Sequence, residues 1–363
     1  MRNVQFHKIL FLVFFWLFAA LFYLYFEGTI IGYDSAVYWS TGEPYNFWSS
    51  LISGVGATLI GATLIGFFEV LYFNKLLRKK SFGVNLFVKT TFYICNIFFF
   101  VSLAVILNFS FQAQSSIISS EVLASFENFL SSPTLIMAVI YWGFAVMLAL
   151  FFLHINDKFG KGVLINLLIG KYHRPRKEVK IFMFLDLTSS TTIAEMLGAQ
   201  KYSSLLRDFF FDLDEVINKT NGSIFQFVGD EVVVIWDVKI GVKDANCARL
   251  FFLAEDKIQS LRDHYIKKFG LCPEFKAGLH YGEVIMTEVG GSKQEIAYHG
   301  DPINTTARIR SACSDTKRKL LISKELLDIM PSVGRLFSVQ PAGVFKLKGK
   351  KRDIQLYGLG RNW

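Results

Sequence analysis

The chain has 363 residues and 39 Lys and Arg against 30 Asp and Glu, a formal net charge of +9. Hydrophobic residues make up 52% and charged residues only 19%, below the roughly 25% usual in soluble proteins, which excludes a disordered or fibrous chain and sets two structural units as the expectation. The apolar excess is packed into the first 155 residues and most of the charge lies beyond them, so a membrane half is expected to precede a soluble half.

About 20 apolar residues cross a bilayer as a helix. Four stretches qualify: Ile9–Phe26, Trp48–Phe73, Thr90–Phe109 and Thr134–Ile155. The first is read as retained, because no small-residue cleavage site precedes Glu27 and further spans follow. The segments Glu27–Phe47 and Ser110–Pro133 carry acidic residues but no Lys or Arg, while the tail with Arg2 and Lys8 and the Lys75–Lys80 turn are basic. By the positive-inside rule both termini are cytoplasmic, giving an integral protein of the cell inner or plasma membrane with the lipid bilayer as a partner. Basic residues that flank spans in this way account for the high charge, so nucleic acid is not an expected partner. The four cysteines, Cys95, Cys247, Cys272 and Cys313, show no C-x-x-C or Cys/His metal spacing and read as reduced thiols.

In the second span, Ser53, Ala57 and Gly61 fall four apart on one helix face, with Ala62 and Gly66 on the next. Small residues at that spacing admit a close neighbouring helix, and packing inside the four-helix unit is favoured over an intersubunit contact. Glu69 and Lys89 lie near span ends and are expected to snorkel to the interface. Asn96 and Asn108 suit either a bond to a neighbouring helix or a ligand. No intramembrane charge constellation favours a transporter.

Between Asp157 and His173, Phe159, Val163, Leu164, Leu167 and Leu168 form an apolar stripe among lysines, which predicts a short interfacial helix. Pro175 and its basic neighbours mark a linker. The expected organisation is a transmembrane domain over 1–156, an amphipathic linker over 157–178 and a soluble domain over 179–363.

Val179–Leu187 is β-like, carries Asp186 near its end, and runs into hydroxyl residues and a helical stretch from Thr192 to about Ile217. A carboxylate at a strand end beside a helix N-terminus suits a metal and a phosphate chain. Past the Asn221-Gly222 turn, two short strands, Ser223–Val228 and Val232–Trp236, flank Gly229-Asp230-Glu231 and form a hairpin with a second carboxylate at its tip. If these strands neighbour the first, Asp186 and Asp230 meet and can hold two divalent ions that clamp a triphosphate. A helix near Val242–Phe269 and a second hairpin, Phe275–Tyr281 with Glu283–Glu288, complete an α+β, ferredoxin-like βαββαβ order. Farther on, Pro302 opens a helix on which Asn304 and Arg308 share a face, where an amide and a guanidinium could hold a ribose and a transferring phosphoryl group.

The runs F-L-D-L-T-S-S-T, F-V-G-D-E, H-G-D-P-I-N-T-T-A-R and V-F-K-L-K-G-K together resemble the successive motifs of the class III nucleotidyl cyclases, the adenylate and guanylate cyclases, from about Val179 to Leu359. The spans lie outside the resemblance. It implies an enzyme that converts ATP to 3′,5′-cyclic AMP and pyrophosphate for intracellular signalling, which the spans make membrane-bound. It implies that Asp186 and Asp230, with the Leu187 carbonyl, carry two Mg²⁺ or Mn²⁺ ions per site and that Ser189, Ser190 and Thr191 lie along the triphosphate. It further places Asn304 on the ribose, Arg308 on the transition-state phosphate and Lys348 on the terminal phosphates. Because the family's two residue sets come from opposite subunits, it implies a homodimer with shared active sites. No organic cofactor is implied.

Two positions depart from the family pattern. The usual base-reading Lys is Gln226 and its usual Asp or Thr partner is Ala297. An amide can pair with adenine but also meets other bases, so GTP or a pyrimidine nucleotide is the alternative substrate. A non-catalytic nucleotide-binding membrane sensor is a further alternative, opposed by the intact Asp186, Asp230, Asn304 and Arg308. A diguanylate cyclase is opposed by Val228, which stands where its motif needs glycine.

Overall fold

The computed structural model describes residues 2–31, 45–73, 76–77, 80–159, 170, 173–292, 294–346 and 353–362. The chain divides into two compact units, Met1–Lys158 and Phe159–Trp363. Most of the segment expected to form an interfacial helix lies outside the described residues, as does Lys348.

The first unit holds α1 (Arg2–Ile31), α2 (Phe47–Phe68), α3 (Phe82–Ala113), α4 (Ser120–Leu130) and α5 (Pro133–Phe159). Among the described residues, four helical stretches are long and apolar enough to cross a membrane: Lys8–Thr29, Phe47–Phe73, Phe82–Ala113 and Pro133–Ile155. Helix α4 is a short amphipathic addition, capped by the Ser119 hydroxyl. Helix α2 packs against both α1 and α3 through its small residues. A Cβ on Gly66 would lie 3.0 Å from Ile9 Cγ2 of α1, and one on Gly61 would lie 2.8 Å from Phe100 Cδ2 of α3. The glycines thus set close approaches inside the unit. Asn108 of α3 bonds the neighbouring helix, accepting from Ser49 Oγ at 2.5 Å and donating to Ser50 Oγ at 3.2 Å.

Glu69 and Lys89 correct the expectation of snorkelling. Glu69 opens a turn of π-helix, Glu69–Phe73, that continues α2, and it is fully buried. Its carboxylate pairs with Lys89 and accepts from the Tyr93 hydroxyl at 3.0 Å, both on α3. The wider turn of the π-helix directs the side chain at the neighbouring helix, where a cation and a hydroxyl offset its desolvation.

The second unit is built on one sheet. Its main elements, short helical turns aside, are β1 (Arg176–Leu187), α6 (Ser190–Leu197), α7 (Ala199–Lys219), β2 (Ser223–Val228), β3 (Glu231–Asp237), α8 (Asn246–Ser260), α9 (Arg262–Phe269), β4 (Phe275–Val289), β5 (Glu295–His299), α10 (Asp301–Thr316), β6 (Leu320–Ser323), β7 (Phe337–Phe345) and β8 (Ile354–Arg361). The strand order is β2-β3-β1-β4-β6-β8-β7, with β5 paired to β4. The first four strands are mutually antiparallel neighbours, the βαββαβ order expected from the sequence.

Strand β1 is apolar without alternation because helices cover both faces of the sheet. Ile181, Met183, Leu185 and Leu187 join a core with Phe209, Leu213 and Phe251 of α7 and α8. Phe182 and Phe184 join Val233 and Val284, with Ile303 and Ala307 of α10 against them. Since side chains alternate along a strand, Asp186 falls on the α10 face.

The hairpin expected at Phe275–Glu288 is instead one continuous strand, β4. Gly282 is not a turn residue. A Cβ there would lie 2.6 Å from Pro302 Cγ, so the glycine makes room for the first turn of α10. The chain reverses later, near Gly290 with φ +105°, before β5. The single helix expected after Thr192 is two, broken at Gly198 with φ +73°, and β1 begins three residues earlier than expected, at Arg176.

Candidate active site

Strand register assembles the first set of residues. Asp186 lies opposite Glu231 on β3 and opposite Lys276 on β4. Asp230 sits at the tip of the β2–β3 turn, next to Gly229, whose φ of +62° suits glycine. The side chains of Asp186 and Asp230 come within hydrogen-bonding reach of each other, so the two carboxylates meet across the sheet as the sequence predicts.

Arg310 of α10 bridges the cluster. Its Nη1 donates to Asp186 Oδ2 at 2.9 Å, and its Nε lies 2.8 Å from Glu231 Oε2, paired in charge but out of line for a hydrogen bond. Helix α10 comes this close because β4 has glycine beneath it: a Cβ on Gly278 would lie 2.4 Å from the Arg310 backbone nitrogen. Lys276 Nζ stands 3.8 Å from Asp186 Oδ2 and donates to Ser314 Oγ at 3.0 Å.

Two largely buried carboxylates, Asp186 and Glu231, therefore share Arg310, with Lys276 near Asp186 and the Asp230 carboxylate beside them. Burial, the largest effect, holds Asp186 above the ordinary carboxylate range, and the Asp230 carboxylate adds to it against the pull of Arg310 and Lys276. Burial likewise raises Glu231 to about 7, with Asp186 and Asp230 adding to the rise and Arg310 opposing it. Such a cluster disfavours its own ionisation until more positive charge arrives.

Ser189 takes a left-handed conformation, φ +56°, immediately before α6, which begins at Ser190 and Thr191. The turn carries the chain from the carboxylate of Asp186 to the free N–H groups of a helix start, an arrangement suited to phosphate oxygens. Tyr202 of α7 lies within hydrogen-bonding reach of Ser190; burial and the Asp230 carboxylate raise its phenol above the ordinary range.

The second set lies elsewhere on the same domain. Gln226 is exposed on β2, just after an irregularity in its pairing with β3. Ala297 pairs with Thr287 in the β4–β5 hairpin. Asn304 is exposed and Arg308 half-buried on α10, and neither side chain hydrogen-bonds or ion-pairs with a described residue. Their sequence neighbours pack together: Phe225 meets Tyr298 edge-on at 5.0 Å, in the cluster that includes Ile303 and Ala307. On the helix, Arg308 lies about 200° round from Arg310. The chain's own Asp186 is therefore met by Arg310 and not by Arg308.

Residues 172–360 match the family described as adenylate and guanylate cyclase catalytic domain. The chain belongs to that family. Adenylate cyclase 2 of Rhizobium meliloti (strain 1021) is 32% identical over 211 residues, 58% of this chain and 58% of that one. Adenylate cyclase 1 of the same organism is 27% identical over 188 residues, 50% of this chain and 27% of the relative. The matches thus span less than two thirds of either relative's length. Among solved structures, a bacterial light-regulated adenylyl cyclase shares the fold, with a TM-score of 0.51 at 19% identity over 61% of this chain and 65% of the other.

The cyclase domain contains site neighbours that sequence reasoning missed. Glu231 and Lys276 become visible only once strand register is known, since each faces Asp186 across a different neighbour. Arg310 and Tyr202 carry no local signal. Each is an ordinary helix residue brought in by packing, Arg310 through the close approach at Gly278.

The donors fit the divalent ions that the cyclase family implies. Among the described residues no group of three His, Cys, Asp or Glu side chains converges to hold a metal. Asp186 near a strand end and Asp230 at a turn tip, with a backbone carbonyl at Leu187, match the ligand habits of Mg²⁺, which binds through one or two carboxylates plus substrate phosphates. Mn²⁺ accepts the same hard oxygens.

Proposed function

We propose that the protein is a membrane-anchored nucleotidyl cyclase that converts ATP to 3′,5′-cyclic AMP and pyrophosphate, in a homodimer whose two sites each draw on both chains. The observation that carries this reading is the meeting of Asp186 and Asp230 beside the start of α6, within a cluster short of positive charge. The adenylate cyclase relatives favour ATP. The four apolar helices support anchoring in a bilayer, and their outward side chains, such as Phe14, Phe18, Phe98 and Ile140, suit lipid.

In the reaction the ribose 3′-hydroxyl gives up its proton to solvent, its oxygen bonds to the α-phosphorus, and the bond from that phosphorus to the pyrophosphate oxygen breaks. Asp186, Asp230 and the Leu187 carbonyl would hold two Mg²⁺ or Mn²⁺ ions, which would neutralise the triphosphate and make the 3′-hydroxyl more acidic. Ser189, Ser190 and Thr191 bind phosphate oxygens at the helix start. Asn304 of one chain orients the ribose against the carboxylates of the other, and Arg308 balances the charge that builds on the transferring phosphoryl group. Neither Asn304 nor Arg308 pairs with a described residue of its own chain, which supports this division between chains. Lys348 completes the set at the terminal phosphates.

One observation favours a broader substrate range. Ala297 offers no polar group beside the base, and the amide of Gln226 can present a donor or an acceptor. A GTP or pyrimidine cyclase is therefore the second reading. Incubating the purified full chain with each of the four ribonucleoside triphosphates and Mn²⁺, with products identified by mass, tests both. Cyclic AMP as the main product supports the first, another cyclic nucleotide supports the second, and no cyclic product from any of the four refutes catalysis.

A further inference from the structure

One of the two carboxylates read as metal ligands already has a cation of the chain's own. Arg310 Nη1 donates to Asp186 Oδ2 at 2.9 Å. A guanidinium in that place occupies an oxygen that a divalent ion would need, and its charge repels the ion. Lys276 does not duplicate it, since its Nζ stands 3.8 Å from Asp186 Oδ2 and donates to Ser314 Oγ.

The same guanidinium meets a second carboxylate less well. Arg310 Nε lies 2.8 Å from Glu231 Oε2, yet both atoms are buried and neither makes a hydrogen bond. The distance suits a bond and only the direction is wrong. A buried donor and a buried acceptor left unmatched side by side are costly, and a small turn of the guanidinium would match them. Glu231 is therefore an underused partner. Once free of Asp186, the planar fork of Arg310 can form with it the in-line pair that a guanidinium and a carboxylate favour.

The backbone at this level is fixed, so the turn is confined to a side chain. A Cβ on Gly278 of β4 would lie 2.4 Å from the Arg310 nitrogen and 2.9 Å from the Thr306 carbonyl oxygen. One turn farther along α10, Cys313 Sγ donates to the Ala277 carbonyl of the same strand at 3.3 Å. The Arg310 side chain itself keeps 25% of its surface exposed, against 11% for Asp186 and 9% for Glu231.

We propose that Arg310 is a positioning residue that competes with the divalent ion for Asp186 and is received by Glu231 when the ion binds, so that the Arg310–Glu231 pair sets the affinity of the metal site. This rests on the reading of Asp186 and Asp230 as metal ligands. An arginine that merely held Asp186 in place for the ion would act with the opposite sign, because its loss would weaken binding.

The test measures Mn²⁺ binding without nucleotide or turnover, from the loss of the free Mn²⁺ EPR signal on titrating the full chain in micelles. A chain carrying both Asp186→Asn and Asp230→Asn defines the component that belongs to the site. For that component Arg310→Gln should bind Mn²⁺ about tenfold more tightly than wild type, since a neighbouring arginine weakens a carboxylate's hold on even a single proton by about that much or more. Glu231→Gln, which removes the receiving carboxylate, should bind about tenfold more weakly, with a smaller effect in chains that also carry Arg310→Gln. Unchanged or weaker binding in Arg310→Gln would overturn the competition while leaving the metal site standing. Should Arg310→Gln fail to fold, unchanged affinity in Glu231→Gln would overturn it as well. Mn²⁺ binding that is indifferent to Asp186 and Asp230, in wild type and in Arg310→Gln alike, would instead refute the metal site itself.

Discussion

In the first unit the buried carboxylate of Glu69 meets Lys89 and the Tyr93 hydroxyl, whereas in the cyclase domain Asp186 and Glu231 share Arg310, with Lys276 also near Asp186 and the Asp230 carboxylate close by. Both arrangements bury charge, but they differ in balance. Among the described residues the first is balanced: one anion, one cation and one hydroxyl donor. The second is short of positive charge, and burial, with the neighbouring carboxylates adding to it, drives Asp186 and Glu231 upward in pKa. A balanced buried pair specifies packing, while an unbalanced cluster marks a place that awaits a charged partner.

Breaking the balanced pair should have the largest effect. Lys89→Met leaves Glu69 buried without its cation and is expected to cost about 3–5 kcal/mol, read from unfolding of the full chain in micelles. Adding Glu69→Leu in the same chain should recover most of that loss. Unchanged stability in Lys89→Met would show that the pair does not hold α2 to α3.

At the unbalanced cluster the effect falls on catalysis. Asp186→Asn removes a formal charge from a site that must balance two dications and a triphosphate, and cyclase activity should fall by at least about a hundredfold under saturating Mn²⁺. Near-normal turnover would remove Asp186 from the metal site.

The raised pKa of Glu231 gives a stability prediction whose sign follows from linkage. The folded carboxyl titrates at about 7 against an ordinary 4.5, so between these values the folded protein binds more protons than the unfolded one. Stability of the metal-free protein should therefore be highest below about pH 4.5 as far as this group is concerned, and decline as pH rises to about 7. Glu231→Gln should flatten the decline in melting temperature across that window. An identical pH profile in the variant would show that Glu231 does not carry the shift.

The smallest effect is expected at the base. Gln226→Lys together with Ala297→Asp should sharpen the preference for ATP over GTP by about tenfold in kcat/KM, because a charged pair leaves more buried groups unpaired against the wrong base. Unchanged ratios across the four nucleotides would show that these positions do not read the base.

Much of this contrast was legible in the sequence, and the parts that were not share a cause. The four spans, the βαββαβ order and the meeting of Asp186 with Asp230 follow from local signals: apolar length, short apolar runs, and a G-D-E turn between strands. The failures arise where one residue type serves two purposes. Gly282 read as a turn and is a site of close approach to Pro302. Glu69, near a span end, read as a snorkelling charge, but a π-turn that no local pattern announces turns it inward. Arg308 and Arg310 stand two residues apart, and the sequence motif selects the first, while packing of α10 over Gly278 brings the second to Asp186.

That division of the two arginines leads to the most direct test. Inactive Asp186→Ala and Arg308→Ala chains are mixed, heterodimers are verified by differential tags, and cyclase activity is measured. If Asp186 of one chain works with Arg308 of the other, one site in each heterodimer is intact, and random exchange in equal mixtures should restore about a quarter of wild-type activity in a symmetric dimer. Heterodimers that form but show no activity would contradict the shared site.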